Sequence, residues 1–352
     1  MNKHINNKKN GCFMKKAFFI VNHKNKNDSA VTNLYLKIIY KALLNRGYSC
    51  IYDLKNNKID KKKDLLVFDE CKIAFLYLIK GYRNVIIWTQ GIVPEEAILQ
   101  GYPRYRYYLH SLFEYTVLKK AKLIFMVSNE MLAHYQKKYK LSLKARTFIM
   151  PCFNETKIDE QSFNSQNKYV DNTFVYLGSL NKWQCFEETV DVYKQIEEKT
   201  KTSKLYVYTE NVKLAKNILQ TKHVRNYNVD FVESTELGSK IRDYKYGFVL
   251  RENIEVNRVA TPTKLSNYIS HGIIPIYSTC LKSFDNYNRK EKMAIDFDLN
   301  SQEKGIQEIL ENMKKNVSIA QVKDWAETTF DSYYNAQRYV SKIIEKMKLN
   351  KI

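Results

Sequence analysis

The sequence predicts an α/β protein of two doubly wound domains facing each other across a cleft. Three observations predict it. Short β-branched or aromatic runs alternate with longer stretches of helical period, which implies parallel sheets with crossover helices. A polar stretch with no strong period, FNETKIDEQSFNSQNKYVDN (153–172), breaks the alternation near mid-chain, after which it restarts. The chain has 352 residues, too many for one ordinary core and suited to two. The expected division is a first domain over 1–155, a linker over 156–172, a second domain over 173–320, and a C-terminal helix over 321–352 that packs back towards the first domain.

The strand candidates of the first half are AFFIVNH (17–23), SCIYDL (49–54), DLLVFDE (64–70), NVIIWTQ (84–90), KLIFMVS (122–128) and TFIMPC (147–152). Between the first two, AVTNLYLKIIYKALLNRG repeats apolar residues at i, i+3, i+4 and i+7 before Gly47 closes the turn. The second half offers TFVYLGS (173–179), SKLYVYT (203–209), NVDFVES (228–234), YGFVLR (246–251), GIIPIYS (272–278) and KMAIDFD (292–298), then a helical stretch over about 320–347. The start, MNKHINNKKNGCFMKKAFFIVNH, is basic, but AFFIV is too short for a signal-peptide core; it reads as an extension before the first strand, with Met14 an alternative start. No stretch reaches the roughly 18 apolar residues of a membrane span.

An apolar share of 44% with 13% aromatics is that of a folded protein. The six cysteines are scattered without a CxxC pair, which points to reduced thiols and the cytoplasm rather than zinc or disulfides. Net charge is +21 and unevenly placed: residues 1–155 hold 28 Lys and Arg against 11 Asp and Glu, a net +17, and the remainder 30 against 26, a net +4. Such asymmetry suggests that the first half meets an anionic partner: nucleic acid, a membrane surface or a phosphorylated substrate. The alternative is drift in a Lys-rich chain.

Neither GxGxxG nor GxxxxGK[ST] occurs, so any phosphate must be held by side-chain cations and helix starts. The stretch LRENIEVNRVATPTKLSNYISHGIIPIYS (250–278) supplies both. Arg251 ends a strand at its carboxyl edge, where ligands of such sheets bind. Pro262 suits a first helical turn with Thr261 as its cap, and Lys264 then stands where a cation is disfavoured unless an anion rests there. Arg251 and Lys264 would grip a diphosphate from two sides.

These segments resemble the family 4-like glycosyltransferases of GT-B architecture, two Rossmann-like domains, that build bacterial surface polysaccharides. The resemblance is carried by GFVLR, PTKLSNY and the following Gly and Pro, with WTQGIVPEE (88–96), SNEMLAHY (128–135), FIMPCFNE (148–155) and YLGSLNKWQCFEETV (176–190) in order. It runs from about residue 15 to about 345. It implies transfer of a sugar from a nucleoside-diphosphate sugar to a glycan or lipid-linked acceptor, with retained configuration and no metal or other cofactor. Arg251 and Lys264 would stabilise the leaving diphosphate. Gly178, Ser179, Lys182, Asn257, Thr263 and Asn267 would meet the donor, and Gln90, Gly91 and Glu95 the acceptor side. Glu95 and Glu96 also suit a helix start for structural reasons alone.

The sequence departs from the family where a pair of Glu residues is usual. Asn267 and Val259 stand there, and Ser179 replaces a common Arg. His110, His134 and His271 read as structural, and the DFD of 296–298 as the end of a strand rather than a metal motif. YPRYRYYLHSLFEYTVLKKAK (102–122) mixes Tyr, Arg and Lys with an apolar stripe, as at an anionic cytoplasmic leaflet, or as a packed helix with a Tyr-rich core face. Competing readings are a sugar-nucleotide 2-epimerase, a nucleic-acid-binding protein and a glycosyltransferase that no longer turns over; no nucleic-acid recognition motif is present, and such a partner is not expected.

Overall fold

The computed structural model describes residues 15–21, 30–52, 54, 57–165, 167–200, 202–233 and 235–352. Cys12, Met14 and the strand-candidate positions 22, 23, 53 and 234 lie outside them. Twelve strands form two six-stranded parallel sheets. The first is built from β1 (Lys15–Ile20), β2 (Tyr48–Ile51), β3 (Leu65–Phe68), β4 (Val85–Thr89), β5 (Leu123–Met126) and β6 (Thr147–Ile149), in the order β2-β1-β3-β4-β5-β6. The second is built from β7 (Thr173–Leu177), β8 (Lys204–Tyr208), β9 (Tyr227–Asp230), β10 (Tyr246–Val249), β11 (Ile274–Ser278) and β12 (Ile295–Phe297), in the order β12-β11-β10-β7-β8-β9. β3, β4, β5, β10 and β11 are buried at every residue. Helices cover both faces, which is why these strands read as unbroken apolar runs.

In the second sheet β10 pairs with β7, with Tyr246 beside Phe174 and Phe248 beside Tyr176. Strand order reverses there, and the crevice outside the carboxyl ends at such a point is where open α/β sheets bind ligands. Gly178 follows one of these strands and Arg251 closes the other.

The stretch expected as a polar linker is tied down along its length. Phe153, Ile158, Phe163 and Tyr169 are buried, Tyr169 Oη donates to the Gly272 carbonyl at 2.6 Å, and Arg242 Nε donates to Asp159 Oδ2 at 2.7 Å. Lys168 is buried too and donates to the His271 carbonyl. The C-terminal stretch is two helices rather than one, Ile319–Ser332 and Ala336–Leu349. Ser318 caps the first through a capping box, and Asn335 caps the second by accepting from Arg338 N at 2.7 Å. The last helix lies on Ala30–Asn45, and Phe153 and Tyr339 pack with ring centres 6.1 Å apart. The second domain reaches into the first through Val259, buried in the first domain's core with its carbonyl accepting from Ser128 Oγ at 2.7 Å.

Helix Arg104–Lys120 turns Phe113, Glu114, Val117 and Leu118 inward, whereas Tyr105, Tyr108, Leu109 and Leu112 form an exposed outer stripe at i, i+3, i+4 and i+7. The Tyr-rich face is therefore not its core face. Of fifteen large apolar side chains exposed among the described residues, nine fall between Leu76 and Leu112, a segment whose helices Cys71–Ile79 and Val93–Leu99 both pack on helix Arg104–Lys120. No described helix is long and apolar enough to cross a membrane.

Candidate functional site

A cleft of about 250 Å³ opens between the domains at the β7–β10 reversal. Gln90, Gly91, Glu96 and Gln100 line it from the first domain; Trp183, Gln184, Arg251 and Asn257 face them from the second. Arg251 is only 5% exposed, its backbone fixed by Ser278 Oγ at 2.8 Å. Its Nη1 donates to the carbonyls of Gln184 (3.0 Å) and Leu250 (2.8 Å), and its Nη2 to Gln184 Oε1. Lys264 Nζ donates to that same Oε1 at 2.8 Å and lies 4.7 Å from the centre of the Tyr176 ring. Two cations from separate elements thus meet on one neutral amide oxygen.

Among the described residues no Asp or Glu pairs with either cation. Burial, and then the Arg251 guanidinium, push the Lys264 ammonium well below the usual lysine range. Burial likewise lowers Arg251. The Lys264 shift combines burial with a like charge and the Arg251 shift is one of burial; an anion beside them would offset both costs. Gly178 makes the approach possible: its φ is +116°, and a Cβ there would lie 2.7 Å from Lys264 Cε and 2.8 Å from Nζ.

The helix start contributes less than the sequence suggests. Helix Lys264–Ser270 has seven residues; Thr261 does not cap it, and its Oγ1 accepts the Cys152 N–H at 2.9 Å across the domain seam. Thr263 precedes the helix without a side-chain cap. The anion attraction rests on side chains. His271, read from the sequence as structural, is buried, which lowers its pKa and favours the neutral ring.

The remaining predicted residues divide. Asn257 is buried at the cleft, its Nδ2 donating to the Glu252 carbonyl at 2.9 Å. Asn267 is buried with Oδ1 unpartnered. Ser179 is exposed and accepts at its carbonyl from Tyr176 Oη at 2.8 Å. Lys182 is exposed on another face beside Glu187 and Glu188, away from Arg251. Gln90 and Gly91 reach the cleft, but Glu95 turns away to Lys138 Nζ (2.8 Å) and His134 Nε2 (3.4 Å). Its neighbour Glu96 takes the cleft position. One residue along a helix is a turn of about 100°, and that decides which acid faces the ligand.

Gln184, Trp183 and Gln100 line the cleft without having been singled out in the sequence. Glu96 was named beside Glu95 as the second acid of WTQGIVPEE, but with no role in the site. Val259, at one of the family's Glu positions, is an interdomain anchor, and Asp298 of the DFD accepts from Asn300 N at 3.0 Å to cap a short turn.

The chain has the two-domain fold of the GT-B glycosyltransferases. It superposes on WaaG, a glycosyltransferase involved in lipopolysaccharide biosynthesis, with a TM-score of 0.62 and 14% identity, over 93% of this chain and 99% of that one. Sucrose-phosphate synthase from Thermosynechococcus elongatus gives 0.67 and 10% over 95% and 98%. Anabaena HepE, solved with UDP and glucose, gives 0.66 and 9% over 95% and 99%. No family model and no curated protein matches the sequence.

Proposed function

We propose that the protein transfers a sugar from a nucleoside-diphosphate sugar to a hydroxyl of a glycan or lipid-linked acceptor. The observation that carries this reading is the meeting of Arg251 and Lys264 on Gln184 Oε1 at the strand reversal, with no described Asp or Glu paired to either. As the bond between the anomeric carbon and the diphosphate oxygen breaks, that oxygen keeps the electron pair. Two fixed cations in a partly dry cleft stabilise the charge where it develops. They supply what a metal supplies elsewhere, so the transfer is read as metal-independent; retention of configuration follows from the family resemblance. Asn267, with a free buried acceptor, and Asn257 serve the donor in place of the usual acids. The exposed stripe of helix Arg104–Lys120, flanked by Arg104, Lys119 and Lys120, suits docking on an anionic leaflet where a lipid-linked acceptor resides.

A thermal-shift series with UDP, GDP, CDP and TDP tests the reading on wild type and Lys264→Ala. One diphosphate is expected to stabilise the wild type, by about 2.7 kcal/mol at a hundredfold excess over its Kd, and to lose that effect in the variant. Stabilisation of neither protein by any of the four rejects it.

A further inference from the structure

We infer that Glu96 is the residue that receives hydrogen bonds from hydroxyls of the sugar being transferred, an assignment that rests on the donor reading above. Arg251 and Gln184 belong to the second-domain wall of the cleft, with Lys264 bonded to Gln184 Oε1 beside them, and Glu96, Gln90 and Gln100 belong to the first-domain wall facing it. Glu96 is the only carboxylate among the described cleft-lining residues. A sugar bonded to a diphosphate gripped on one wall must project into the space between the two. That space, about 250 Å³, is below the roughly 300–1,000 Å³ of ordinary ligand pockets, so the ring meets the opposite wall.

The conformation of Glu96 is built for the cleft. Its side chain folds over Gly91, where any Cβ would fall on the carboxylate, and Oε1 accepts the Ile92 N–H at 3.1 Å. One carboxylate holds about four acceptor sites, so Oε2 and the spare lone pair of Oε1 remain for hydroxyl donors. Burial raises the Glu96 pKa, opposed by the Ile92 N–H, as expected for an acid that gives up water without gaining a cation. Glu95, one residue earlier, has Lys138 as its partner and no such spare capacity towards the cleft. With Val259 and Asn267 at the family's acid positions, Glu96 supplies from the first domain a carboxylate that the second lacks.

Holding the start of helix Val93–Leu99 through Ile92 is a structural role that Glu96→Gln preserves, because the amide oxygen still accepts. The test compares binding of UDP, GDP, CDP and TDP with that of their glucose, mannose and N-acetylglucosamine conjugates, on wild type and Glu96→Gln, by calorimetry. The expected result is a conjugate that binds wild type more tightly than its free diphosphate and weakens about tenfold in the variant, while the diphosphate itself binds both proteins equally. A diphosphate that binds, with every conjugate shifted no more than the diphosphate is, overturns the role of Glu96 and leaves the donor site standing. No binding of any diphosphate to wild type overturns both.

Discussion

The two halves of the molecule carry charge at two different scales. The first domain holds a net +17, much of it on exposed side chains such as Lys61, Lys62, Lys119 and Lys120. The second is nearly balanced at +4, yet it owns Arg251, which lines the cleft, and Lys264, which shares Gln184 Oε1 with it. Exposed charges act through water and fade over about 8–10 Å of salt solution. Arg251 is buried and Lys264 partly buried, and they act across a few ångströms on one shared oxygen. Net charge therefore bears on which surfaces a protein meets, and uncompensated buried charge on which ligand it holds.

The sharpest way to break that contrast is to change the buried pair. Arg251→Ala should cost on the order of 10²–10³ in turnover, the usual effect of removing one preorganised donor from a developing oxyanion. Net charge hardly changes. Gln184→Glu sharpens the point from the other side. A carboxylate at the shared acceptor would give both cations a permanent partner. Melting temperature should rise, and affinity for the diphosphate that binds wild type should fall by about tenfold or more. Unchanged diphosphate affinity in Gln184→Glu would mean that the phosphate does not use this oxygen's place.

The first half is tested on vesicles. Wild type should co-sediment with anionic vesicles at low salt and be released at high salt, each Lys or Arg near the surface contributing about 1 kcal/mol. Tyr105→Ser with Tyr108→Ser removes rings that are 63% and 68% exposed, so folding should be spared while vesicle binding drops severalfold. Equal binding to neutral and anionic vesicles at low salt removes the membrane reading and leaves the cleft untouched.

Legibility in the sequence follows the same division between pattern and detail. All twelve strands overlap a run read as a strand: those buried on both faces are continuous, such as VIIWT or IPIYS, while KLYVY alternates, and the apolar helix CKIAFLYLI is told apart by its length. The packing of the stretch 153–172 was not legible because its buried anchors, Phe153, Ile158, Phe163 and Tyr169, are spaced without period. Arg251 and Lys264 were legible as cations at element ends. Gln184 was not, since a neutral amide in a short turn before left-handed Cys185 (φ 52°) differs in no visible way from any loop residue. Thr261 looked like a cap because its type and the following Pro fit one; the tertiary partner Cys152 N won its hydroxyl. Glu95 and Glu96 are indistinguishable by type, and only the packing of Lys138 and His134 against one of them separates their roles.

His134 joins the halves and carries the smallest effect. On the first domain, it lies 3.0 Å from Glu255 Oε1 of the second and 3.4 Å from Glu95 of its own; Lys138 pairs with Glu95 and Arg258 with Glu255. Burial alone would lower the His134 pKa, but the two carboxylates overcome it and hold it above the usual value. Both carboxylates are held below theirs, burial being outweighed at Glu95 by His134 and Lys138 and at Glu255 by Arg258 and His134, so they stay ionised near neutrality. A histidine whose folded pKa exceeds its unfolded one, about 6.5, stabilises fully below that unfolded value. The stabilisation is lost as pH rises through the folded one. Glu114, which burial raises to about 7, contributes with the same sign over a range that begins lower and overlaps the histidine's near neutrality, because the folded protein keeps its proton. Wild type alone therefore cannot isolate the bridge, but the difference from His134→Gln can. That difference in melting temperature should be largest near pH 6 and shrink towards pH 9. A pH-independent difference would mean that His134 packs at the seam without its charge mattering there.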